Sequence, residues 1–550
     1  MDEVQTSGTV ADAALRQQLA EGFNLLQQGR LPDAAGLSDR LTASHAGNAE
    51  ILFLASEVRL AMDDPESALG YIAAAVDAAP GQWPLLLKQA DNLIMLRRRA
   101  QARQVAGEAA AAAGDDAQGL WQIGKFYSKC GDPVSACRLY QQALAAGGST
   151  PGLLYDLAAA QFFTGDVAGA EQNLEAVLAL APKSGHALYL RSTLHKQTEA
   201  SNHVADLRSR LDAGFPNAAE RAACLFALAR ELEDLGQADE SFAVLAEAAA
   251  LKRQTLSHDA SSERASIDAI QATYTSEVMQ AEVPGHDEAG AIFIVGMPRT
   301  GTTLVERMLG RHSAVKSAGE LLDFGQILGA AAQKVVEANP GKTMAEASLL
   351  IDFAALGRDY MRSAREAAFG SPMFIDKMPI NFLYCGLIKK ALPNARIIHL
   401  VRDPMDSCYA VYKTLFNQAY LFSYDIAELA AYYVSYHRLM RHWHSVMPGA
   451  ILDVHYEELV ADTEVQARRM LAWCGLGWQP AVLTPSDDQT PARTASAAQV
   501  RQPIYTNSVQ KWRRYESYLA PLHARLVAAG IVDAQGRELS DPGSSVNALS

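Results

Sequence analysis

Small residues recur along the N-terminal half of the chain at a nearly constant interval, within segments whose apolar positions follow helical spacing. One alanine occupies the same place in each copy of a short motif, and successive alanines are 33, 34, 34 and 34 residues apart. Glycines between the helical segments mark the expected turns. The pattern predicts antiparallel helix pairs that pack closely through their small residues. The alanines are Ala35, Ala68, Ala102, Ala136 and Ala170, and the turn glycines are Gly29, Gly131, Gly165 and Gly236.

A repeat of this length resembles the tetratricopeptide family, in which each unit is a pair of helices. The resemblance implies an all-α superhelix of six or seven repeats over residues 10–255, with Ala205 and Ser241 continuing the series at looser spacing. Superhelices of this kind offer a concave surface, so a peptide or a partner protein is the expected ligand. A purely structural superhelix that docks on the second half of the chain is the alternative.

The second half of the chain alternates short, β-branched, apolar segments with helical patterns. This alternation is typical of a parallel sheet covered on both faces. We therefore expect an α/β domain over residues 291–535, preceded by a helical linker over 256–290 and followed by a disordered tail over 536–550. The predicted strands cover residues 291–295, 373–376, 395–401 and 450–456.

The first predicted strand runs into the sequence GMPRTGTT, from Gly296 to Thr303, and a helical pattern follows. A strand, a glycine turn and a helix start in this order direct backbone N–H groups at one point, where an anion binds. The two glycines keep the spacing of the nucleoside-triphosphate loop G-x-x-x-x-G-K-[ST], but Thr302 replaces the lysine. Arg299 supplies the cation instead, which favours an anion other than a triphosphate with magnesium.

The stretch VGMPRTGTTLVERML resembles the loop with which sulfotransferases hold a 5′-phosphosulfate, and RIIHLVRDPMDS resembles their 3′-phosphate segment. The resemblance covers roughly residues 290–530 and implies a P-loop-like α/β domain with a central parallel sheet. It also implies 3′-phosphoadenosine-5′-phosphosulfate (PAPS) as the sulfuryl donor, with no metal. The sequences AGEL and DKMPINF are similar to those of the tyrosylprotein sulfotransferase branch.

Three residues are expected to have catalytic roles, the first of them assigned by the resemblance. Glu320 is the expected base, which takes the proton from the acceptor hydroxyl. Arg299 and Lys377 are expected to stabilise the bridging oxygen as the leaving phosphate gains charge. His399 is the rival base, but its position within an apolar strand indicates a core histidine whose hydrogen bonds are satisfied.

The same resemblance implies a set of donor-binding residues. Arg402, at the end of a strand, is expected to bind the 3′-phosphate. The family usually has a serine eight residues after this arginine; Ala410 stands there, and Ser407 is the expected substitute from the first helical turn. The donor-binding set is Pro298, Arg299, Thr300, Gly301, Thr302, Thr303, Arg402, Ser407, Tyr456, Asn507, Ser508 and Lys511.

Composition narrows the class of protein. The formal net charge of −14 argues against a general nucleic-acid binder. Six cysteines without a CxxC pair argue against a zinc site and favour a reducing compartment. The polar start MDEVQTSGTV lacks the features of a secretory signal, and the chain has no apolar run of about 18 residues that predicts a membrane span. The sequence therefore predicts a cytoplasmic protein.

The leading hypothesis is a PAPS-dependent sulfotransferase that acts on an acceptor hydroxyl, with a peptide or protein presented by the repeats as one plausible acceptor. The sequence leaves the acceptor and the oligomeric state open. The first alternative is a protein-interaction scaffold whose sulfotransferase domain has decayed. The second is a nucleotide kinase or NTPase that uses the same loop, against which the missing lysine argues.

Overall fold

The computed structural model describes residues 2–416, 419–484 and 509–539. The chain forms two compact units, Met1–Ala160 and Gln161–Ser550. The first unit is built from α-helices, which follow one another as antiparallel pairs. They are α1 (Asp2–Gln27), α2 (Leu31–Ser44), α3 (Ala49–Ala61), α4 (Pro65–Ala78), α5 (Trp83–Met95), α6 (Arg99–Ala113), α7 (Ala117–Lys129), α8 (Pro133–Ala145) and α9 (Pro151–Thr164), the last of which extends past the unit boundary.

The turn within each pair repeats in the backbone even where the sequence has no glycine. Gly29, Gly131 and Gly165 adopt left-handed φ angles of 70°, 75° and 95°. Asp63 and Arg97 adopt the same conformation, with φ of 61° and 59°, so the five positions are spaced by 34 residues throughout. Left-handed backbone costs about 1–2 kcal/mol for a residue with a Cβ, so packing of the pair imposes the turn in these two copies.

Several second helices begin with an aspartate that caps the helix. Asp64 accepts the N–H of Ser67 at 3.1 Å, and Asp132 accepts the N–H of Ser135 at 3.0 Å. A proline follows each of these aspartates at the first helical position, where its missing N–H costs nothing. The recurrent DP dipeptides of the repeats therefore fix where α4 and α8 start.

The small residues of the repeat are buried, as the spacing predicts. Ala68, Ala102 and Ala136 are fully buried between helices. In the first copy the fully buried alanine is Ala34, not the predicted Ala35, which restores an interval of 34 residues to Ala68. Of the two looser positions, Ser241 is buried, whereas Ala205 is exposed and its neighbour Val204 is buried in its place.

The second unit begins with further helix pairs of the repeat type and two linker helices. These are α10 (Val167–Leu180), α11 (Gly185–Leu194), α12 (Val204–Ala213), α13 (Ala218–Asp234), α14 (Ala238–Gln254), α15 (Ala260–Thr273) and α16 (Ser276–Gln280). In the described part of the chain, consecutive helices pack as pairs in α1 with α2, α3 with α4, α5 with α6, α7 with α8 and α13 with α14, whereas α11 packs on α13. In the described part of the chain, we find no helix with the length and apolar content that crossing a bilayer requires.

An α/β domain follows, with a five-stranded parallel sheet in the order β2-β3-β1-β4-β5. Its strands are β1 (Ala291–Gly296), β2 (Val315–Gly319), β3 (Met373–Asp376), β4 (Arg396–Val401) and β5 (Ile451–His455). Its helices are α17 (Thr302–Gly310), α18 (Asp323–Ala338), α19 (Met344–Ala347), α20 (Phe353–Ala367), α21 (Cys385–Ala391), α22 (Pro404–Tyr412), α23 (Ile426–Val446), α24 (Tyr456–Ala461), α25 (Thr463–Trp473) and α26 (Ala520–Ala528).

Alternate residues of β1 enter two separate cores, because successive side chains of a strand point to opposite faces. Phe293 and Val295 belong to the larger core, whereas Ile292 and Ile294 belong to a smaller one. The four predicted strands are confirmed as β1, β3, β4 and β5. The sequence missed β2, an edge strand that is only partly apolar.

The last repeat helices pack directly on the α/β domain within the second unit. Phe242 of α14 stacks on Tyr518, with ring centroids 4.7 Å apart. Glu233 of α13 binds the Lys413 ammonium at 2.8 Å and accepts the Tyr409 hydroxyl proton at 3.2 Å. Burial alone would raise the pKa of Glu233, but the charges of Lys413 and Lys511 outweigh it and lower that pKa to about 2. An ion pair therefore ties α13 to the end of α22.

After α26 the chain folds back and pairs with itself. Val532 and Glu538 form an isolated bridge, and the N–H of Leu539 donates to Ile531 at 2.9 Å. Most of the predicted tail, residues 540–550, lies outside the described residues.

We expect Glu233→Gln to destabilise the protein by about 1–3 kcal/mol at neutral pH, because the substitution leaves the Lys413 charge without its carboxylate. A carboxylate whose pKa is lower in the folded state stabilises the fold at pH values above its unfolded-state pKa. This stabilisation is lost as the carboxylate becomes protonated. The difference between wild type and variant should therefore shrink as pH falls from 4.5 towards about 2.

Calorimetric unfolding of the full chain across this pH range measures the effect. Glu247→Gln is the control, because Glu247 pairs with Arg221 on the surface, where both side chains are about half exposed. The control should change stability by under about 0.5 kcal/mol. Equal losses of stability in the two variants would show that the Glu233–Lys413 ion pair contributes no more than a surface ion pair.

Candidate active site

The five parallel strands end at one edge of the sheet, and a predicted site residue follows each of them. The order of strands sets the order of residues along this edge. Glu320 follows β2, Lys377 follows β3, the loop Gly296–Thr303 follows β1, Arg402 follows β4 and Tyr456 follows β5. Residues that are up to 160 positions apart in sequence thus come to one edge, where open α/β sheets bind ligands.

The loop after β1 needs unusual backbone angles. Gly296 has φ of 145°, and a Cβ there would lie 2.7 Å from the carbonyl oxygen of Leu400 on the next strand. Gly301 has φ of 104°. Arg299 is left-handed, with φ of 68°, although it carries a side chain. Non-glycine residues in this region are uncommon and concentrate at functional sites.

Side chains of the loop reinforce its shape. Thr300 is buried and donates its hydroxyl proton to the carbonyl oxygen of Met297 at 2.8 Å. Pro298, Thr302 and Thr303 are also buried. Helix α17 starts at Thr302, so the first-turn N–H groups of this helix lie at the end of the loop. The loop is therefore fixed on both sides of Arg299, with helix N–H groups available to an anion.

Arg402 and Tyr456 close the loop from the β4 and β5 side. Arg402 is 8% exposed and donates from Nη1 to the carbonyl oxygen of Arg299 at 2.8 Å. Its guanidinium carbon lies 5.0 Å from the centre of the Tyr456 ring. The same ring packs against Gly301, where a Cβ would lie 2.7 Å from Cδ2 of Tyr456. The Tyr456 ring thus contacts both Gly301 of the loop and the Arg402 guanidinium.

Lys377 and Glu320 form an ion pair on the other side of the loop. The Lys377 side chain is 1% exposed, whereas the Glu320 side chain is 42% exposed. A second carboxylate, that of Glu306 on α17, lies 3.7 Å from the Lys377 ammonium and accepts the Ser317 hydroxyl proton at 2.5 Å. The ammonium is therefore buried between one internal carboxylate and one carboxylate that solvent and a substrate can reach.

Asp376, next to Lys377, holds this corner of the sheet. It accepts a hydrogen bond from the Tyr360 hydroxyl at 2.8 Å and one from the N–H of Leu321 at 3.3 Å. Burial raises the pKa of Asp376 to about 7. Because Leu321 directly follows Glu320, these bonds fix the chain that carries Glu320.

Ser407 and Lys511 lie around the start of α22. Ser407 is fully buried and donates to the carbonyl oxygen of Arg402 at 3.2 Å. The Asp406 carboxylate accepts the N–H groups of Gln510, at 2.5 Å, and Trp512, at 3.0 Å, which brings Lys511 next to this helix. The predicted residues Asn507 and Ser508 lie outside the described residues.

His399 lies inside the sheet, as the apolar strand around it indicates. It is 6% exposed on the side chain, and its two ring nitrogens face Asp453 at 2.8 Å and the Tyr436 hydroxyl at 2.5 Å. The sequence did not predict site roles for four further residues, Glu306, Asp376, Asp406 and Tyr436. Glu306 alone carried a signal, because it lies one turn into the helix that follows the loop.

Comparison with known proteins identifies the domain. Residues 291–480 match the model of the sulfotransferase family, so the C-terminal half carries a sulfotransferase domain. An uncharacterized protein of Aquifex aeolicus is 35% identical over 311 residues, which are 55% of this chain and 41% of that protein. Protein-tyrosine sulfotransferase 1 of Danio rerio is 26% identical over 43% of this chain and 71% of its own length. The chain thus spans less than half of the Aquifex relative.

Two solved structures are similar to parts of the chain. The sulfotransferase domain of the Synechococcus PCC 7002 olefin synthase covers 42% of this chain and 91% of its own, with 22% identity and a TM-score of 0.31. The C-terminal part of a TPR repeat-containing protein from Cytophaga hutchinsonii covers 43% of this chain and 86% of its own, with 14% identity and a TM-score of 0.30.

We expect Gly301→Ala to destabilise the protein by about 2–4 kcal/mol, because a Cβ combines a disallowed backbone angle with a collision against the Tyr456 ring. Gly310→Ala is the matched control. Gly310 ends the same helix, and no neighbouring atom lies within 4 Å of the position that its Cβ would occupy. The control should be neutral or slightly stabilising. Calorimetric unfolding of both variants checks this, and equal midpoints would contradict the packing of Tyr456 on the loop.

Proposed function

We propose that the protein is an enzyme that transfers a sulfuryl group from PAPS to an acceptor hydroxyl, and that it acts in the cytoplasm. The observation that carries the proposal is the row of residues along the carboxyl edge of the sheet. Each of the five strands is followed by one member of this row: Glu320, Lys377, the loop Gly296–Thr303, Arg402 and Tyr456. The match of residues 291–480 to the sulfotransferase family supports the reaction class.

The two arginines suit the two charged ends of the donor. Sulfuryl donors of this class carry a phosphosulfate at the 5′ position and a phosphate at the 3′ position of one ribose. The loop amides and Arg299 would hold the first group, and Arg402 the second. The hydrogen bond from the Arg402 guanidinium to the backbone carbonyl of Arg299 supports this assignment, because it brings Arg402 against the loop.

The proposed chemistry is an in-line displacement. The bond from sulfur to the bridging phosphate oxygen breaks, a bond from sulfur to the acceptor oxygen forms, and the acceptor proton passes to the Glu320 carboxylate. The Lys377 ammonium contacts Glu320 and lies beside the loop helix, so its charge is available to the leaving oxygen. Glu306 balances this buried charge when Glu320 turns to the acceptor.

A peptide or protein acceptor fits the repeat helices of the N-terminal half. Repeat folds use extended surfaces for such ligands, and two of the curated relatives are protein-tyrosine sulfotransferases. The cytoplasmic assignment is supported by the six cysteines, which are all free thiols.

Calorimetric titration of the full chain with adenosine 3′,5′-bisphosphate, AMP and ATP, with and without magnesium, tests the donor. We expect preference for the bisphosphate without magnesium, because Arg402 serves the 3′-phosphate. Arg402→Ala should weaken bisphosphate binding about 10- to 100-fold. Arg402→Lys should lie between, since lysine keeps the charge but lacks the fork.

Arg468→Ala is the control, because Arg468 pairs with Glu464 at the surface and lies over the Trp478 ring. It should bind the bisphosphate like the wild type. Tighter, magnesium-dependent ATP binding would favour a kinase or NTPase, and no nucleotide binding would favour the scaffold hypothesis. Either result would overturn the proposed function.

Glu320→Gln tests the base. The amide keeps the size of the carboxylate but accepts no proton, so turnover with labelled donor should fall by about 10²- to 10⁴-fold while bisphosphate affinity stays within about threefold. Glu337→Gln, a solvent-exposed change on α18, should keep full turnover. Unchanged turnover in Glu320→Gln would assign the proton transfer to another group.

A further inference from the structure

Helix α22 connects the donor end of the sheet to the repeat helices. It starts at Pro404, just after Arg402, and its first turn carries Ser407, whose hydroxyl donates to the Arg402 carbonyl oxygen at 3.2 Å. Its other end leads into Lys413, which follows the last helical residue. A displacement of α22 would therefore move the residues that are expected to bind the 3′-phosphate of the donor.

One side of α22 is bound to the last repeat pair, α13 and α14. Tyr409, Tyr412 and Lys413 are three and four residues apart, so they lie on the same side of the helix. Glu233 of α13 accepts the Tyr409 hydroxyl proton at 3.2 Å, and both of its carboxylate oxygens lie 2.8 Å from the Lys413 ammonium. Phe242 of α14 stacks on Tyr412, with ring centroids 6.0 Å apart and the rings 28° from parallel. The repeat pair thus holds α22 through an ion pair and an aromatic contact.

The same phenylalanine holds the segment Lys511–Tyr515, a short 3₁₀ turn near the end of the described chain. The ring centroids of Phe242 and Tyr515 are 5.7 Å apart. The Tyr515 ring in turn lies 4.6 Å from that of Tyr409 on α22. Phe242 therefore contacts one aromatic ring of α22 and one of the C-terminal segment, and it joins the two elements from the repeat side.

The first turn of α22 fixes the start of that segment. The Asp406 carboxylate accepts the N–H groups of Gln510, at 2.5 Å, and Trp512, at 3.0 Å, which lie on either side of Lys511. Gln510 is left-handed, with φ of 57°, a conformation that surrounding structure must impose on a residue with a side chain. The backbone of Lys511, an expected donor ligand, is thus placed by α22, and α22 is held by the repeat pair.

We propose that the last repeat pair is a positioning element of the donor site, with Phe242 as its central positioning residue. Without the Phe242 ring, Tyr412 and Tyr515 lose a shared contact, so α22 and the C-terminal segment loosen although every donor-binding residue is kept. The inference rests on the proposed function, because Arg402 and Lys511 must bind the donor for their placement to matter. It gives the last repeats a role at the donor, whereas the proposed function assigns the repeat array to the acceptor.

The test compares two ligands that differ only at the 3′ position, adenosine 3′,5′-bisphosphate and adenosine 5′-monophosphate. The ratio of the monophosphate dissociation constant to that of the bisphosphate measures the contribution of the 3′-phosphate. In Phe242→Leu the side chain stays apolar but loses the flat ring, so we expect this ratio to fall about three- to tenfold. Affinity for the monophosphate should change by less than about twofold, since the loop Gly296–Thr303 is untouched.

Phe126→Leu is the matched control. Phe126 of α7 has the same exposed fraction as Phe242, 4%, but it belongs to the core of the first unit. Its ratio should equal that of the wild type. Thermal unfolding reports whether each variant is folded, and a variant that is only less stable binds both ligands less well without a change in the ratio.

The outcomes separate the inference from the proposed function. Wild-type protein without a preference for the bisphosphate overturns the proposed function. Wild-type protein that prefers the bisphosphate, with Phe242→Leu keeping the full ratio, overturns only the positioning role. Equal falls of the ratio in Phe242→Leu and Phe126→Leu would likewise overturn that role, because the effect would then belong to repeat packing in general. A fall in Phe242→Leu alone supports the inference.

Discussion

The close approach of β1 to β4 at their carboxyl ends governs the geometry of the whole site. No Cβ fits between Gly296 and the Leu400 carbonyl, so the chain leaves β1 in contact with its neighbour and turns at once into the loop. A residue with a side chain at this point would push the loop away from Arg402, which follows the same neighbouring strand. The left-handed Arg299 and the glycine at 301 then complete a turn that is held by the Thr300 hydroxyl from within and by Arg402 from outside.

Charge is arranged against the overall character of the molecule. The chain carries a formal net charge of −14, yet two arginines and a lysine meet at one sheet edge. Two of these cations have local partners: the Arg299 carbonyl and the Tyr456 ring face Arg402, and Glu306 and Glu320 face Lys377. Such partners offset the cost of burying these two cations.

Much of this arrangement was predictable from the sequence, for physical reasons. Strands buried on both faces must be apolar and β-branched, and a glycine turn between a strand and a helix start directs backbone N–H groups to one point. The edge strand β2 was not predicted, because Lys316 and Ser317 give it the polar composition of a loop. A role for Glu306 was not predicted because a glutamate on a helix is usually a surface residue. A role for Tyr436 was not predicted because its partners come from strands far away in sequence. Contacts between distant segments leave no local pattern.

The packing of the last repeat pairs on the α/β domain has a consequence for how this architecture can change in evolution. Whole copies of the repeat can be gained or lost near the N-terminus without disturbing Glu233, Phe242 or the groups they contact. The terminal pairs have no such freedom, since exchanging them for another copy removes the partners of Lys413 and Tyr518. The number of repeats can thus change at the N-terminal end of the array, while the last repeats must keep the residues that contact the α/β domain.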